Sequence, residues 1–244
     1  MKKAFIFGID GRMGKILTEC AADFGYTVVG GFDKTPRSGD IPVFNDTNKI
    51  DVDFDVIIDF SNPYLLSPIV ALADRTLKPT VIATTGYNDS ELHMIMLLSK
   101  KVPVFRSGNM SLGIAATKAA AVAAKAVLGD MFDIEIVEKH HNQKLDNPSG
   151  TALLLADALI SRDNQVVNRD GKRKKGELGI TSVRGGGVVG EHEIGFYGED
   201  EIVTISHSAR SRKLFAAGAY KAADFLLSAA PALYDMDDLV KTLL

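Results

Sequence analysis

The 244-residue chain has a single cysteine, Cys20. One thiol excludes an intramolecular disulfide and a zinc site built on clustered thiolates, and at a position that reads as helical it is a packing residue before it is chemistry. A dominant charge is also missing, since 28 Lys and Arg face 31 Asp and Glu for a net of −3. Nucleic-acid binding needs a concentrated basic face, and none is written here. The densest basic run, Arg169 to Lys175, has Gly171 within it and Gly176 after it and reads as a solvated loop. Long apolar runs are scarce: the opening MKKAFIFGIDGR stops its apolar stretch at Asp10 and Arg12, too short for a secretion signal, and nothing later is expected to approach a membrane span. No repeat or low-complexity segment occurs. These absences predict a soluble, cytoplasmic protein with neither nucleic-acid nor membrane partners. What remains, 46% hydrophobic and 24% charged, is material for one large or two smaller cores.

Along the chain, Lys3 to Gly8 is a short apolar run closed by glycine, the pattern of a buried parallel strand. Met13 to Phe24 has helical spacing, and Tyr26 to Phe32 is a second strand closed by Asp33. The stretch 36–53 reads mostly as loop. Strands are expected at 55–60, 80–84 and 103–106, with helices at 64–76 and 89–100 between them. Strand alternating with helix implies a doubly wound parallel sheet. The pattern then changes. An alanine-rich helix over 111–128, with small side chains for close packing on a sheet, leads to a strand at 132–139. A loop and a helix at 150–160 follow, then three strands at 180–184, 188–197 and 201–208. Strands without intervening helices imply an open mixed, largely antiparallel sheet. The segment 212–227 returns to helix and the rest is a polar tail. The chain is thus expected to be α/β, with a doubly wound domain at 1–109 completed by about 218–244, and a second α+β domain at 110–217. Closure of the two would hinge near Asn109 and Gly218.

Two segments carry chemistry. Glu138 to Leu153, EKHHNQKLDNPSGTAL, sets two imidazoles, His140 and His141, and Lys144 ahead of a Pro-Ser-Gly-Thr step that opens an apolar helix. Ser149 reads as the N-cap, so the N–H groups of Gly150, Thr151 and Ala152 would point out of the helix start, where the helix dipole also favours an anion. Lys144 adds charge, and the histidines add groups that exchange protons near neutral pH. An acid–base pair beside a carboxylate cradle suits a small anionic substrate. The adjacent histidines lack zinc spacing, so no metal is expected. His192 and Glu191 read as structural, and His93 and His207 as incidental. The other segment is Gly8-Ile9-Asp10-Gly11-Arg12-Met13-Gly14, between the first strand and the first helix. Glycines there allow the backbone to approach a pyrophosphate, and Asp33, about 20 residues on, is placed for a ribose hydroxyl. Asp33 favours NAD, while Lys34 and Arg12 could balance a 2′-phosphate; the choice stays open. Asp10, a carboxylate among groups meant for phosphate, is expected to point away or to weaken the grip.

The sequence resembles the dihydrodipicolinate reductase family. The likeness spans nearly the whole chain and rests on GIDGRMG at 8–14, DFSNP at 59–63, ATTGY at 83–87, SGNMSLG at 107–113, EKHHNQKLDNPSGTA at 138–152 and SVRGGGVVGEHEIGF at 182–196. It implies a Rossmann-like nucleotide domain and NADH or NADPH as cofactor. It further implies reduction of 4-hydroxy-tetrahydrodipicolinate, a cyclic imine dicarboxylate, to tetrahydrodipicolinate in lysine and diaminopimelate biosynthesis. Hydride would reach ring C4 and a proton C3. By the same resemblance His140 would be the proton donor and acceptor, Lys144 the proton donor, and His141, Gly150 and Thr151 would bind substrate; the cap reading adds Ser149 to the cradle for one carboxylate. Gly8, Ile9, Asp10, Gly11, Arg12 and Met13 would hold the dinucleotide, with Asp33 and Lys34 at the adenosine ribose. Ala83, Thr84, Thr85, Ser107, Gly108, Asn109 and Met110 would line the nicotinamide side. The family forms homotetramers through the second domain's sheet. Two other classes are compatible with the glycine turn: an amino-acid or homoserine dehydrogenase, and a non-enzymatic dinucleotide sensor. The double-histidine signature separates this chain from the first, and Lys144 and His140 beside an anion cradle from the second.

Overall fold

The computed structural model describes residues 1–243 and divides into two compact units, Met1–Leu112 with Arg212–Leu244, and Gly113–Ser211. The first unit is built on a 7-stranded parallel sheet. Its elements are β1 (Lys2–Phe7), α1 (Arg12–Cys20), β2 (Tyr26–Phe32), β3 (Val43–Phe44), β4 (Val56–Asp59), α2 (Leu66–Thr76), β5 (Thr80–Ile82), α3 (Asp89–Ser99) and β6 (Val104–Arg106). The central strands are covered on both faces, which is why β1 and β4 read as unbroken apolar runs. Alternation still sorts their side chains. Phe5 and Phe7 join Phe32, Phe54, Leu66, Ile69, Leu72, Ile95 and Leu98 in the core under α2 and α3. Each such ring stabilises the fold by about 2 kcal/mol on burial.

The second unit takes α4 (Leu112–Leu128) from its second residue on and continues through β7 (Asp133–His140), α5 (Gly150–Leu159), β8 (Gln165–Val167), β9 (Leu178–Arg184), β10 (Gly190–Tyr197) and β11 (Ile202–Ala209). Its 5-stranded sheet has the order β11-β10-β7-β9-β8. The sheet is mixed, as the helix-free run of strands predicts. β10 pairs antiparallel with β11 and β7 along its length, and β7–β9 and the short β9–β8 pairing are parallel. The face under α4 and α5 holds Ile134, Ile136, Leu178, Ile180, Ile194 and Phe196.

The chain then returns to the first unit with α6 (Lys213–Leu226), β12 (Leu233–Tyr234) and α7 (Met236–Lys241). The parallel sheet therefore runs β12-β6-β5-β4-β1-β2-β3, and the order in which the chain adds strands reverses between β1 and β4. That reversal opens the crevice where doubly wound sheets bind ligands. α6 packs on α1, with the Tyr220 hydroxyl donating to the Leu17 carbonyl at 2.8 Å and the Tyr26 and Tyr220 rings 4.8 Å apart.

Several expectations change. The first helix stops at Cys20, and a 3-10 turn carries the chain to Gly25 at φ 76°. The polar tail contains α7, started by an Asp235/Asp238 capping box. Gly218 lies inside α6, where a Cβ would sit 1.6 Å from the Met110 carbonyl oxygen; it is a point of close helix packing and no hinge. The alanine-rich α4 buries only one stripe, Ile114, Ala115, Thr117 and Ala121. With the turn after it, Leu112–Met131 is long and apolar enough to cross a membrane by composition, against the expectation that nothing approaches a span. Alanine supplies that apolarity, while Lys118 and Lys125 interrupt it, and Ile114 and Ala121 of the buried stripe belong to the unit's own core.

Candidate active site

The core face of the second sheet turns polar at one end. Along β7, alternate side chains share a face, so Ile134 and Ile136 are followed by Glu138 and His140, all buried. Register sets Glu138 beside Ser182 of β9 and His192 of β10, and His140 beside Arg184. Three strands thus deliver Arg184, Glu138, His140 and His192 to one place, and α5 brings its start to the same end.

Glu138 is the centre of this group, with 0% of its side chain exposed. Its Oε2 accepts from His140 Nδ1 at 2.5 Å and from Arg184 Nη1 at 2.9 Å. Oε1 accepts from Arg184 Nη2 at 2.7 Å and from the Ser149 backbone N–H at 3.1 Å. Burial alone would raise this carboxyl, but the Arg184 guanidinium and its other donors outweigh it and hold it at about 2. Glu138 is therefore ionised throughout the working range. His140 is held below the ordinary imidazole value by burial, which, with smaller help from the charges of Lys144 and Arg184, outweighs the pull of Glu138. A neutral imidazole bonded through Nδ1 to an ionised carboxylate keeps its proton on Nδ1 and leaves Nε2 with the lone pair.

Ser149 caps α5 as the Pro-Ser-Gly-Thr step predicts, its Oγ accepting from the Ala152 N–H at 3.2 Å. The Ala152 donor is therefore used internally, contrary to the expectation that it points outward. Gly150 leads the helix in open space, with no atom within 4 Å of where a Cβ would stand. His192, read from sequence as merely structural, belongs to the site: its Nε2 shares a hydrogen bond with Ser149 Oγ at 3.1 Å, and its ring lies 5.2 Å from that of His140. Burial, reinforced by His140, pushes it down to about 4. Lys144 reaches the same end of the unit and pairs with Asp146 at 2.8 Å. Burial would raise Asp146, and the Lys144 ammonium outweighs it. His141 follows at the end of β7, half-buried, its carbonyl accepting from the Lys144 N–H at 3.2 Å.

In the first unit, the turn between β1 and α1 lies at the point of sheet reversal. Gly8 has φ 78°, and a Cβ there would meet the Phe60 carbonyl at 2.6 Å. Gly14 lets α1 press on the turn, since its Cβ would fall 2.2 Å from the Gly8 carbonyl oxygen. Ile9 turns into the core and packs on Gly31. Gly11 caps α1 with no side-chain hydrogen bond. An uncapped helix start behind a cradle that any Cβ would fill fits a dinucleotide diphosphate. Arg12 and Met13 stand in the first turn of α1. Asp33 reaches the same turn, its Oδ2 accepting from the Asp10 N–H at 3.0 Å and its Oδ1 from the Lys34 N–H at 2.8 Å. The Asp10 carboxylate is taken by Arg37 at 2.7 Å, which removes the oddity of an unbalanced acid there.

At the ends of β4 to β6, the Thr84 hydroxyl accepts from the Ser61 N–H at 2.9 Å, and Thr85 lies against Gly108. Ala83 donates to the Asp59 carbonyl at 3.0 Å. Ser107 Oγ donates to the Asn109 carbonyl at 2.8 Å, and Met110 is buried. Asp59, unremarked from sequence beyond its motif, is a buried carboxylate accepting from the Ser61 N–H at 3.0 Å, from the Ser61 hydroxyl, and from Tyr87 at 3.4 Å. Sequence reasoning also missed Glu138 and Arg184 as site residues. For Glu138 a signal existed: two positions before His140 on a strand, it must share the histidine's face.

A glycine turn at the switch point of a parallel sheet, with a second unit presenting a carboxylate-held imidazole beside a lysine, defines a dinucleotide-dependent oxidoreductase. Models of the N-terminus and C-terminus of dihydrodipicolinate reductase match residues 2–110 and 113–240. The 4-hydroxy-tetrahydrodipicolinate reductase of Clostridium botulinum (strain Eklund 17B / Type B) is 43% identical over 98% of this chain and 98% of its own. That of Caldanaerobacter subterraneus subsp. tengcongensis is 45% identical over 99% of each. A solved dipicolinate-bound dihydrodipicolinate reductase from Paenisporosarcina sp. TG-14 superposes with a TM-score of 0.81 at 25% identity, covering 98% of this chain and 99% of that one. The chain belongs to the dihydrodipicolinate reductase family. It is an oxidoreductase of lysine and diaminopimelate biosynthesis and uses a nicotinamide cofactor.

Proposed function

We propose that this protein reduces 4-hydroxy-tetrahydrodipicolinate, by way of dihydrodipicolinate, to tetrahydrodipicolinate, with hydride added at ring C4 and a proton at C3. The observation that carries the reading is the grouping of His140, Lys144 and the Ser149-capped start of α5 on one unit. The bound nicotinamide supplies the hydride. The residues in the turn at 8–13 hold its diphosphate, and Asp33 and Lys34 stand at the adenosine ribose. Asp33 suits ribose hydroxyls, and Lys34 and Arg12 offer charge to a 2′-phosphate. The start of α5 takes one substrate carboxylate, with Gly150 and Thr151 at the contact. His141 adds a further polar contact to the dianion. Lys144 exchanges Asp146 for the substrate, balances negative charge moving onto the ring, and gives the proton to C3. The neutral His140 takes a proton from solvent on the lone pair of Nε2 and passes it to the Lys144 amine, which restores the ammonium. The dicarboxylate bound to the Paenisporosarcina relative supports a site for two carboxylates on one ring. A homotetramer formed through the second unit's sheet completes the reading, and sedimentation equilibrium measures it.

The test follows oxidation of NADH and of NADPH at 340 nm, with substrate generated by the preceding aldol condensation. Oxidation that depends on that substrate is expected, and the ratio of kcat/KM for the two nucleotides gives the preference. Lys144→Ala is expected to lower kcat by about 100-fold with a much smaller change in KM. A raised KM alone would remove Lys144 from the proton transfer.

A further inference from the structure

We propose that Glu138, held by Arg184, is a positioning residue that fixes the tautomer of His140 with Nε2 as the proton-exchanging nitrogen and ties that ring to the N-cap of α5. The inference rests on the reading of His140 as a group that moves protons.

Three observations carry it. The first is the division of labour on one carboxylate: Oε2 takes His140 Nδ1 at 2.5 Å, and Oε1 takes the Ser149 N–H at 3.1 Å. An ionised carboxylate only accepts, so Nδ1 must hold the hydrogen and Nε2 cannot be the protonated nitrogen of the neutral ring. One rigid group therefore sets both the imidazole and the residue that starts the cradle, and neither shifts without the other. The second is the double hydrogen bond from Arg184, at 2.9 and 2.7 Å to the two oxygens. Burial of the ring disfavours the imidazolium, and the Arg184 charge adds to it against the pull of Glu138, so the ring is not locked in its charged form. Arg184 also donates to the Asp146 carbonyl at 2.7 Å, so it fastens the loop that carries Lys144.

The third observation is the space on the other edge of the ring. A Cβ on Gly190 would stand 3.0 Å from His140 Nε2 and 3.4 Å from Cδ2. Gly190 has no left-handed φ that would demand glycine for the backbone's sake. The missing side chain leaves the Nε2 edge uncovered. Glu138 thus directs Nε2, and Gly190 keeps it clear.

Histidine ring nitrogen shifts from long-range 1H–15N spectra at about pH 7.5 test this without substrate. Wild type is expected to show His140 as the Nδ1–H tautomer; an Nε2–H tautomer in wild type overturns the proposal outright. In Glu138→Gln the amide oxygen is expected to stay with Ser149 and Arg184 Nη2. The amide nitrogen then faces Nδ1, donates to it and switches the tautomer. With that switch, kcat is expected to fall by about 100-fold, with substrate KM changed less than about threefold. An unchanged tautomer and kcat would reduce Glu138 and Arg184 to a structural pair. If Glu138→Gln does not fold, Gly190→Ala keeps the carboxylate pair and decides the second half. It is expected to retain the Nδ1–H tautomer while lowering kcat by about tenfold, and full activity would overturn the assignment of the Nε2 edge. A wild-type protein inactive on the cyclic imine would sink the functional reading alone, because the spectra still decide the tautomer.

Discussion

Acidification from about pH 7.5 to about pH 5 is expected to move the two units in opposite directions. In the second unit, His192 is 4% exposed and is held at about 4, against 6.5 for the free side chain, by burial and by neighbouring His140. Between those values the unfolded chain binds a proton that the folded chain refuses. Stability from this group is therefore present above 6.5 and lost as the pH falls. The whole difference is worth about 3 kcal/mol, of which about 2 kcal/mol is gone by pH 5. His140, also held below its ordinary value by burial, acts in the same direction. Glu138 adds nothing here, because a carboxyl held at about 2 loses its contribution only below its free value of 4.5.

Asp59 in the first unit has the opposite sign. Burial raises it from 3.8 to about 6, against the opposing hydrogen bonds of Ser61 and Thr84. The folded chain takes up this proton first, so the cost of the buried charge, about 3 kcal/mol above pH 6, is relieved on acidification. About 1.4 kcal/mol of it is recovered by pH 5. Amide hydrogen exchange, corrected for intrinsic rates, resolves the units. Protection in β7 and β10 is expected to fall about 30-fold while that in β1 and β4 rises about tenfold. Parallel loss in both units would refute the reasoning, as would a His192→Gln variant whose β10 keeps its full sensitivity to acid.

Gly14→Ala places a methyl 2.2 Å from the Gly8 carbonyl oxygen and 2.5 Å from that of Ile9, both backbone atoms, so the turn itself must move. A loss of about 3 kcal/mol in urea unfolding and at least tenfold weaker NADH or NADPH binding by calorimetry are expected; unchanged nucleotide affinity would remove the turn from the diphosphate site. Ser149→Ala strips the cap from Ala152 and the partner from buried His192. It should cost about 2 kcal/mol in the second unit and raise substrate KM, and a loss below about 0.5 kcal/mol would count against the cap.

The sheet of the first unit was legible because its strands are buried on both faces and its helices are long enough to show a period. The strands that were not legible are short. β3 and β12 have two residues each and β8 three, too few for alternation to appear, and they form at the sheet edges by pairing with a neighbour already in place. α7 was hidden in a similar way, since six residues show little more than one turn and only the Asp235/Asp238 box marks its start. The proximity of Asp33 to the glycine turn was legible from spacing, and it appears as a 3.0 Å bond to the Asp10 N–H. The neutralising of Asp10 by Arg37 was not, because the partner lies in a stretch with no period of its own.

The second site divides along the same line. Ser149 announces itself locally, since an N-cap bonds to residues within one turn. Arg184 and His192 are remote in sequence and reach the site only through strand register, which no local pattern records. Glu138 stands between these cases: its face follows from His140, but its partners do not. Its need for partners follows only once the burial of that face is known. A carboxylate with no exposure costs several kcal/mol unless its lone pairs are filled, and a motif that buries one must be answered by donors from elsewhere in the fold. Here the answer comes from β9, from β7 itself and from the start of α5 together. The carboxylate is satisfied only when all three are in register, so the site is no looser than the core it terminates. The imidazole and the anion cradle are thereby held to the same geometry by the packing of Ile136, Ile180 and Ile194 one step further along the same face.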